Sequence, residues 1–250
     1  MKTGCGNLKM GEVNVKERIQ YIDTAKCLGI FAIYLGHIAA AGSRLQSFIF
    51  IYQVPLFFFL SGAMKRYVDI RDAQREQFGE KKGTVLEKFC KDIRKAGKKI
   101  LGPWLLFAVI SIGVAVLYLE LERDHVAEYL FQIFQGTIRN QFFNQSLWFL
   151  TCLFVVEMIF GLIQSCKYKS AIFFLCIGLF LISEYGLGFR PIIEPKWIWN
   201  VDSAMYYIIY YYLGFIMFPW VDCLITGRGY DTLLKRTFRQ AIFSLGGGIV

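Results

Sequence analysis

Long apolar stretches separated by short polar segments dominate the chain. Six of these stretches are complete and carry few charges, and each has the roughly 20 residues that one helix needs to cross a hydrocarbon core. They cover residues 19–41, 45–64, 100–119, 147–166, 170–189 and 203–221. A seventh begins near Gln240 and is still apolar at Val250. The pattern predicts an all-α, polytopic integral-membrane helical bundle of six complete transmembrane helices plus the start of a seventh.

The composition supports a membrane protein. Of 250 residues, 56% are hydrophobic and only 19% are charged, which is too apolar for an ordinary soluble domain. We expect no cleaved signal peptide, because the first apolar stretch follows about 18 mostly polar residues and has no small-residue cleavage pattern. No internal repeat or low-complexity linker interrupts the chain, so residues 1–250 are expected to form a single transmembrane domain.

The basic residues predict the orientation of the chain. Residues 65–99 contain twelve Lys or Arg residues against six Asp or Glu residues, and short basic loops stay on the cytoplasmic side. Under strict alternation, the basic segments 1–18, 167–169 and 228–239 share that side. We therefore expect a cytoplasmic N-terminus, a basic cytoplasmic loop over 65–99 that includes an amphipathic helix, and location in the plasma membrane. The net charge of +9 then follows from topology and contact with anionic lipid, not from nucleic-acid binding.

The cysteines and histidines do not predict a metal site. Seven cysteines are scattered without a CxxC spacing, and the two histidines, His37 and His125, lie far apart. We interpret the cysteines as small core residues and expect neither a disulfide framework nor a metal.

Three ionisable residues enter the first apolar stretch. Lys26 and His37 are eleven positions apart, so on a helix they differ by only about 20°, and Asp23 lies about 40° from His37. A face that carries such groups across a bilayer is expected to line a polar cavity. In the alternative interpretation, Asp23 and Lys26 extend to the membrane surface, and His37 is a packing histidine beside Gly36.

These residues and several later motifs resemble acyltransferase family 3, whose members are integral-membrane O-acyltransferases that modify cell-surface and secreted glycans. The resemblance rests on Arg18, Asp23, Lys26 and the Gly36-His37 pair, on VPLFFFLSG at 54–62, on LWFL at 147–150, and on VDSA and LGF at 201–204 and 213–215. Its most specific parts are the basic residue eleven positions before a membrane-embedded histidine and the PLFFFLSG run.

The chain departs from the family at two points. Members commonly carry a histidine just before the Val-Pro pair, where this sequence has Gln53, and they usually have about ten helices. We therefore expect the chain to be truncated, with C-terminal helices missing. Pro55 lacks an N–H and frees the carbonyl of Ile51, so the second helix is expected to open or kink where Gln53 reaches the cavity of His37. Unlike a histidine, Gln53 cannot transfer a proton, so it is expected to orient another group in the cavity by hydrogen bonding. In the alternative interpretation it only forms a hydrogen bond between two helices.

The resemblance implies transfer of an acyl group, most simply acetyl, from cytoplasmic acetyl-CoA or another acyl-CoA to a hydroxyl of a glycan or lipid-linked sugar. His37 would act either as general base or as the nucleophile that carries the acyl group, with Asp23 and Gln53 beside it. Lys26, Arg18, Lys65 and Arg66 would attract the phosphates of the donor.

Three further residues are candidates for the acceptor cavity: Glu157 in the middle of the fourth apolar stretch, Trp148 in the WFL motif and Tyr206 in a tyrosine-rich stretch. An ion pair for Glu157 and simple packing for the tyrosines are the structural alternatives.

Two other functions stay open at this point. A helical bundle with polar residues at mid-membrane can also be a transporter or flippase for a small solute or a lipid-linked sugar, although no inverted repeat supports this. The chain can also be an inactive remnant of the acyltransferase family. The sequence predicts no oligomeric state.

Overall fold

The computed structural model describes residues 19–39, 42–77, 84–118, 123–165 and 169–226. Within these ranges all regular structure is helical, as the sequence predicts. The α-helices are α1 Gln20–Ile38, α2 Arg44–Gln77, α3 Val85–Ala96, α4 Gly102–Tyr118, α5 Arg123–Phe134, α6 Trp148–Gln164, α7 Lys169–Leu181 and α8 Val201–Thr226. A π-helical turn, Gly97–Leu101, joins α3 to α4, and another, Ile182–Gly186, follows α7.

The predicted count of six complete spans is not confirmed. Four described helical segments are long and apolar enough to cross a membrane: Arg44–Ala73, Glu87–Leu117, Gln145–Gln164 and Ile198–Thr226. The apolar helix over Ser170–Gly186 is shorter. The predicted first span corresponds to α1, which is 19 residues long and whose hydropathy is lowered by Asp23 and Lys26. The predicted seventh span lies outside the described residues. Several apolar helices nevertheless indicate a membrane protein.

The segment predicted as a basic loop over 65–99 is largely helical. α2 continues through Pro55 and past Met64 as far as Gln77, and the ion pair of Lys65 with Asp69 lies one turn apart along this extension. α3 begins with a capping box, in which Thr84 Oγ1 accepts from the Glu87 N–H and the Glu87 carboxylate accepts from the Thr84 N–H. Parts of two helices therefore occupy a segment for which one amphipathic helix is predicted.

The described parts of the chain divide into two compact units after Gln53. The first contains α1 and the N-terminal part of α2. Along α1 the buried residues are Ile22, Gly29 and Gly36, spaced seven apart, so they form one stripe along the helix. Large apolar side chains such as Leu28, Phe31 and Ile38 are exposed, as expected of a helix whose solvent includes lipid.

In the second unit, α6 and α8 form the centre of the core. α8 packs against both α6 and α7, and α3 packs against α6. The ring of Phe58, from the PLFFFLSG run, stacks on Tyr207 of α8 with the centroids 4.6 Å apart and the planes nearly parallel. A second cluster around Trp104 of α4 includes Ile133 and Phe142 from the segment after α4.

Two glycines permit α2 and α8 to cross with their backbones in contact. A Cβ at Gly62 would overlap the carbonyl oxygen of Tyr211, and a Cβ at Gly214 would overlap the carbonyl oxygen of Phe59. The crossing therefore requires glycine on both helices. Gly62 is the last residue of the PLFFFLSG motif, and Gly214 is the middle residue of the LGF motif. Two motifs that are far apart in the sequence therefore contact each other here.

Candidate functional site

The turn between α1 and α2 holds His37 in place. Ser43 Oγ accepts from the Gln46 N–H at 3.2 Å, as an N-cap serine does at the start of a helix. The side chain of Gln46 then bridges the turn, because its Oε1 accepts from the Gly42 N–H at 2.7 Å and its Nε2 donates to the Gly36 carbonyl at 3.3 Å. One side chain thus ties the start of α2 to the residue that precedes His37.

Gly36 allows α2 to approach the end of α1 closely. A Cβ at this position would lie 3.0 Å from Ile49 Cγ2 and 3.1 Å from Phe50 Cε1. The imidazole of His37 is exposed and forms a T-shaped contact with the ring of Phe50, with 5.7 Å between the centroids. The Gly-His pair therefore positions an imidazole that is exposed and also contacts an aromatic ring of α2.

The other residues predicted near His37 lie in the same unit. α1 is a continuous α-helix, so Asp23 and Lys26 lie on the same helix face as His37. Lys26 lies about 16 Å from His37 along the helix axis, toward the N-terminus. Both side chains are half-buried. Gln53 lies on α2, and its Oε1 is buried without a hydrogen-bond partner among the described residues. Arg18 lies outside the described residues.

Lys65 belongs to a network of charges in the second unit. Its Nζ lies 2.6 Å from Asp92 Oδ2 and 3.3 Å from Asp69 Oδ1, and Lys88 also pairs with Asp69 at 3.5 Å. Gln164 Nε2 donates to the second oxygen of Asp69 at 2.5 Å. The network joins α2, α3 and α6, and it matches the charge of Lys65 with two carboxylates. The sequence pattern predicts no role for Asp69, Asp92 or Gln164, although the i,i+4 spacings of Lys65 with Asp69 and of Lys88 with Asp92 are typical of ion pairs.

The neighbouring Arg66 has a different environment. Its guanidinium carbon lies 5.0 Å from the ring centroid of Phe215, and its Nε is buried without a hydrogen-bond partner among the described residues. Arg66 thus retains donors that the charge network does not use. Glu157 is half-buried in the middle of α6, within electrostatic reach of Lys65 and Lys99.

The two aromatic candidates differ in accessibility. Trp148 is 7% exposed, and the guanidinium carbon of Arg139 lies 4.6 Å from its ring centroid. Tyr206 is half-buried, and its hydroxyl lies 3.5 Å from that of Tyr210. A ligand can therefore reach Tyr206 more readily than Trp148.

A polar network that the sequence analysis missed surrounds Arg139. The guanidinium of Arg139 donates to the carbonyl oxygens of Pro191 and Ile192. The backbone N–H of Arg139 donates to Asn200 Oδ1 at 3.2 Å. Asn200 is fully buried, and its Nδ2 donates to the Gly136 carbonyl and to Thr151 Oγ1. The network joins the loop after α5 to the loop before α8.

Asp202 fixes the start of α8. It is fully buried, its Oδ2 accepts from the N–H groups of Lys196 and Trp197, and its Oδ1 accepts from the Ser203 N–H. This residue is the acid of the VDSA motif, which the sequence analysis quoted without giving it a role. The carboxylate thus satisfies one backbone donor in the first turn of α8 and two in the loop that precedes it.

Comparison with known proteins assigns the chain to a family. A family model described as an acyltransferase domain matches residues 19–228, and this range covers the greater part of both units. Searches of curated proteins and of solved structures gave no significant match.

Proposed function

The chain belongs to acyltransferase family 3, and from this membership we propose that it transfers an acyl group, most simply acetyl, from a cytoplasmic acyl-CoA to a hydroxyl of a cell-surface or secreted glycan. The observation that carries the proposal is the family match over 19–228, which includes the exposed imidazole of His37. The proposed location is the plasma membrane, with the N-terminus in the cytoplasm.

In this proposal His37 enables the reaction of a weakly nucleophilic hydroxyl, by one of two routes. As general base, it takes the hydroxyl proton while the oxygen attacks the thioester carbonyl, the C–S bond breaks, and the thiolate leaving group then takes the proton. As nucleophile, an imidazole nitrogen attacks the thioester carbonyl, the C–S bond breaks, and the thiolate leaves with the ring's N–H proton. The acceptor oxygen then attacks the acyl carbon, the C–N bond to the ring breaks, and the imidazole takes the hydroxyl proton. The exposure of the imidazole and its contact with Phe50 support both routes.

The neighbouring polar residues are proposed to assist His37. Asp23 balances the positive charge of Lys26 on the same helix face, where an unpaired charge would be costly. Gln53 is proposed to hydrogen-bond a reactant, which is supported by its buried and unsatisfied Oε1.

The donor phosphates are proposed to bind Lys26, Arg18, Lys65 and Arg66. Between the two cations of the second unit, we propose that Arg66 contributes more, because Lys65 is already paired with two carboxylates. No metal enters the proposal.

The acceptor is proposed to contact Tyr206 and Glu157, whose side chains are half-buried. Trp148 is covered by Arg139, so we propose that it supports the acceptor site through Arg139 and does not stack directly on a sugar.

The test is the acyl content of surface or secreted glycan, measured by mass spectrometry, in cells that express the chain or its variants. His37→Ala should abolish acylation at unchanged protein abundance in the membrane, whereas the matched control His125→Ala should leave it intact. Lys26→Ala should mainly weaken the use of the donor and so lower the acyl content without abolishing it. Undiminished acylation by His37→Ala, or solute transport without acyl product from the intact chain, would contradict the proposal, the second in favour of a transporter. The absence of both activities from the intact chain would favour an inactive remnant.

A further inference from the structure

A row of cations covers one face of α3 and the turn that follows it. Lys91, Arg94, Lys95 and Lys98 are all exposed, and at 100° per residue they fall within about 100° of one another. Within the described part of the chain, none of the four forms an ion pair. The four charges therefore act together on whatever lies outside this face.

The opposite face of α3 is already occupied. A Cβ at Gly161 of α6 would lie 3.0 Å from the ring of Phe89, and Ile93 and Ala96 pack into the same core. The basic face is therefore fixed outward by packing inside the second unit and cannot turn inward to neutralise its charge.

The length of the helix places these cations at the depth of lipid headgroups. The apolar segment Glu87–Leu117 has 31 residues, which at 1.5 Å per residue is about 46 Å. A hydrocarbon core of roughly 30 Å takes about 20 of them, so counting back from Leu117 puts its edge near Lys98. Exposed Leu105, Leu106 and Val109 on α4 then contact lipid chains, and the four cations lie in the headgroup layer.

We propose that this basic face binds the phosphates of anionic lipid headgroups in the adjacent leaflet. Its shape favours a lipid surface over a soluble phosphate compound, because side chains on a convex helix face diverge, whereas a discrete ligand site needs donors that converge in a concavity. Each Lys or Arg near an anionic bilayer strengthens binding about fivefold. Under the predicted topology the leaflet is cytoplasmic, and the inference holds whether or not the chain transfers acyl groups.

The experiment uses the full chain, purified in a neutral detergent, and measures the binding of fluorescent phosphatidylglycerol and phosphatidylcholine. The triple variant K91Q/R94Q/K95Q should bind phosphatidylglycerol at least about tenfold more weakly than the wild type, with phosphatidylcholine unaffected. The matched control R44Q/R190Q/K196Q removes three exposed cations elsewhere and should bind like the wild type. The charge-preserving variant K91R/K95R should also keep its affinity.

Three outcomes would overturn the proposal. The first is an equal loss in the control variant, which would indicate a general effect of net charge. The second is displacement of the lipid from the wild type by coenzyme A at equal phosphate concentration, which would indicate a soluble ligand. The third outcome can be measured on the wild type alone. Because exposed charges are screened as salt rises from about 0.05 M to about 0.5 M, lipid binding should weaken over this range, and unchanged binding would contradict the proposal.

Discussion

The imidazole of His37 and the ring of Phe50 meet edge to face, with 5.7 Å between their centroids and 62° between their planes. The contact joins α1 to α2 and depends on Gly36, whose missing side chain leaves room for Phe50. An aromatic ring packed against an imidazole limits its rotation, so Phe50 is expected to orient the group proposed to perform the chemistry.

Phe50→Leu should therefore lower acyl transfer about three- to tenfold, because aromatic pairs of this kind contribute about 0.5 to 1.5 kcal/mol. The control is Phe48→Leu on the same helix, whose ring contacts Tyr52. Rates measured with both variants at equal protein abundance check the prediction. Equal rates for the two variants would show that the His37–Phe50 contact does not position the imidazole.

The sequence predicted most of the helices but misplaced the end of α2. Hydropathy falls after Met64 and therefore predicts a loop from residue 65, whereas the backbone stays helical to Gln77. Hydropathy reports whether side chains prefer lipid or water, and a helix that leaves the membrane can continue in water when its charges pair, as Lys65 does with Asp69.

The surroundings of the candidate residues were less predictable. The bridge from Gln46 to Gly36 and the pairing of Lys65 with Asp92 join residues 10 and 27 positions apart, so they depend on tertiary structure that periodicity does not encode. The sequence shows the glycines of the PLFFFLSG and LGF motifs. It does not show that each glycine faces the backbone of the other helix.

Gly62→Ala should destabilise the second unit. The added methyl group would overlap the carbonyl oxygen of Tyr211, and since this obstacle is backbone, the helices must move apart. We expect the midpoint of thermal unfolding in detergent to fall by about 5 to 10 °C. The control is Gly178→Ala on α7, where a Cβ meets nothing within 4 Å and the better helix propensity of alanine should leave the midpoint unchanged or higher. Similar midpoints for both variants would contradict the close crossing of α2 and α8.

Asn200→Ala should also destabilise the fold. The side chain of Asn200 is fully buried and makes three hydrogen bonds, and the residue has a φ of +54°, a conformation that asparagine tolerates better than alanine. The substitution leaves the Arg139 N–H without its acceptor, so we expect a loss of about 2 to 3 kcal/mol. Asn140→Ala is the control, because Asn140 also has a positive φ but is exposed and makes one hydrogen bond, to the Ile193 carbonyl. Comparing the thermal unfolding of the two variants should separate the contribution of the buried hydrogen bonds from that of backbone strain. An equal loss of stability in both variants would assign the effect to strain alone.

The orientation of the chain can be tested with one native and one introduced cysteine. The twelve Lys or Arg residues over 65–99 predict that α3 lies on the cytoplasmic side, and His125, separated from α3 by one apolar span, should then lie outside. Cys90 on α3 and His125 on α5 are both exposed, so a reagent can reach either position from its own side of the membrane. In a chain whose other cysteines are replaced, an impermeant maleimide added to intact cells should label His125→Cys and should label Cys90 only after permeabilisation. Labelling of Cys90 in intact cells, with protection of His125→Cys, would reverse the topology and move the proposed donor-binding residues Lys65 and Arg66 away from the cytoplasmic acyl-CoA.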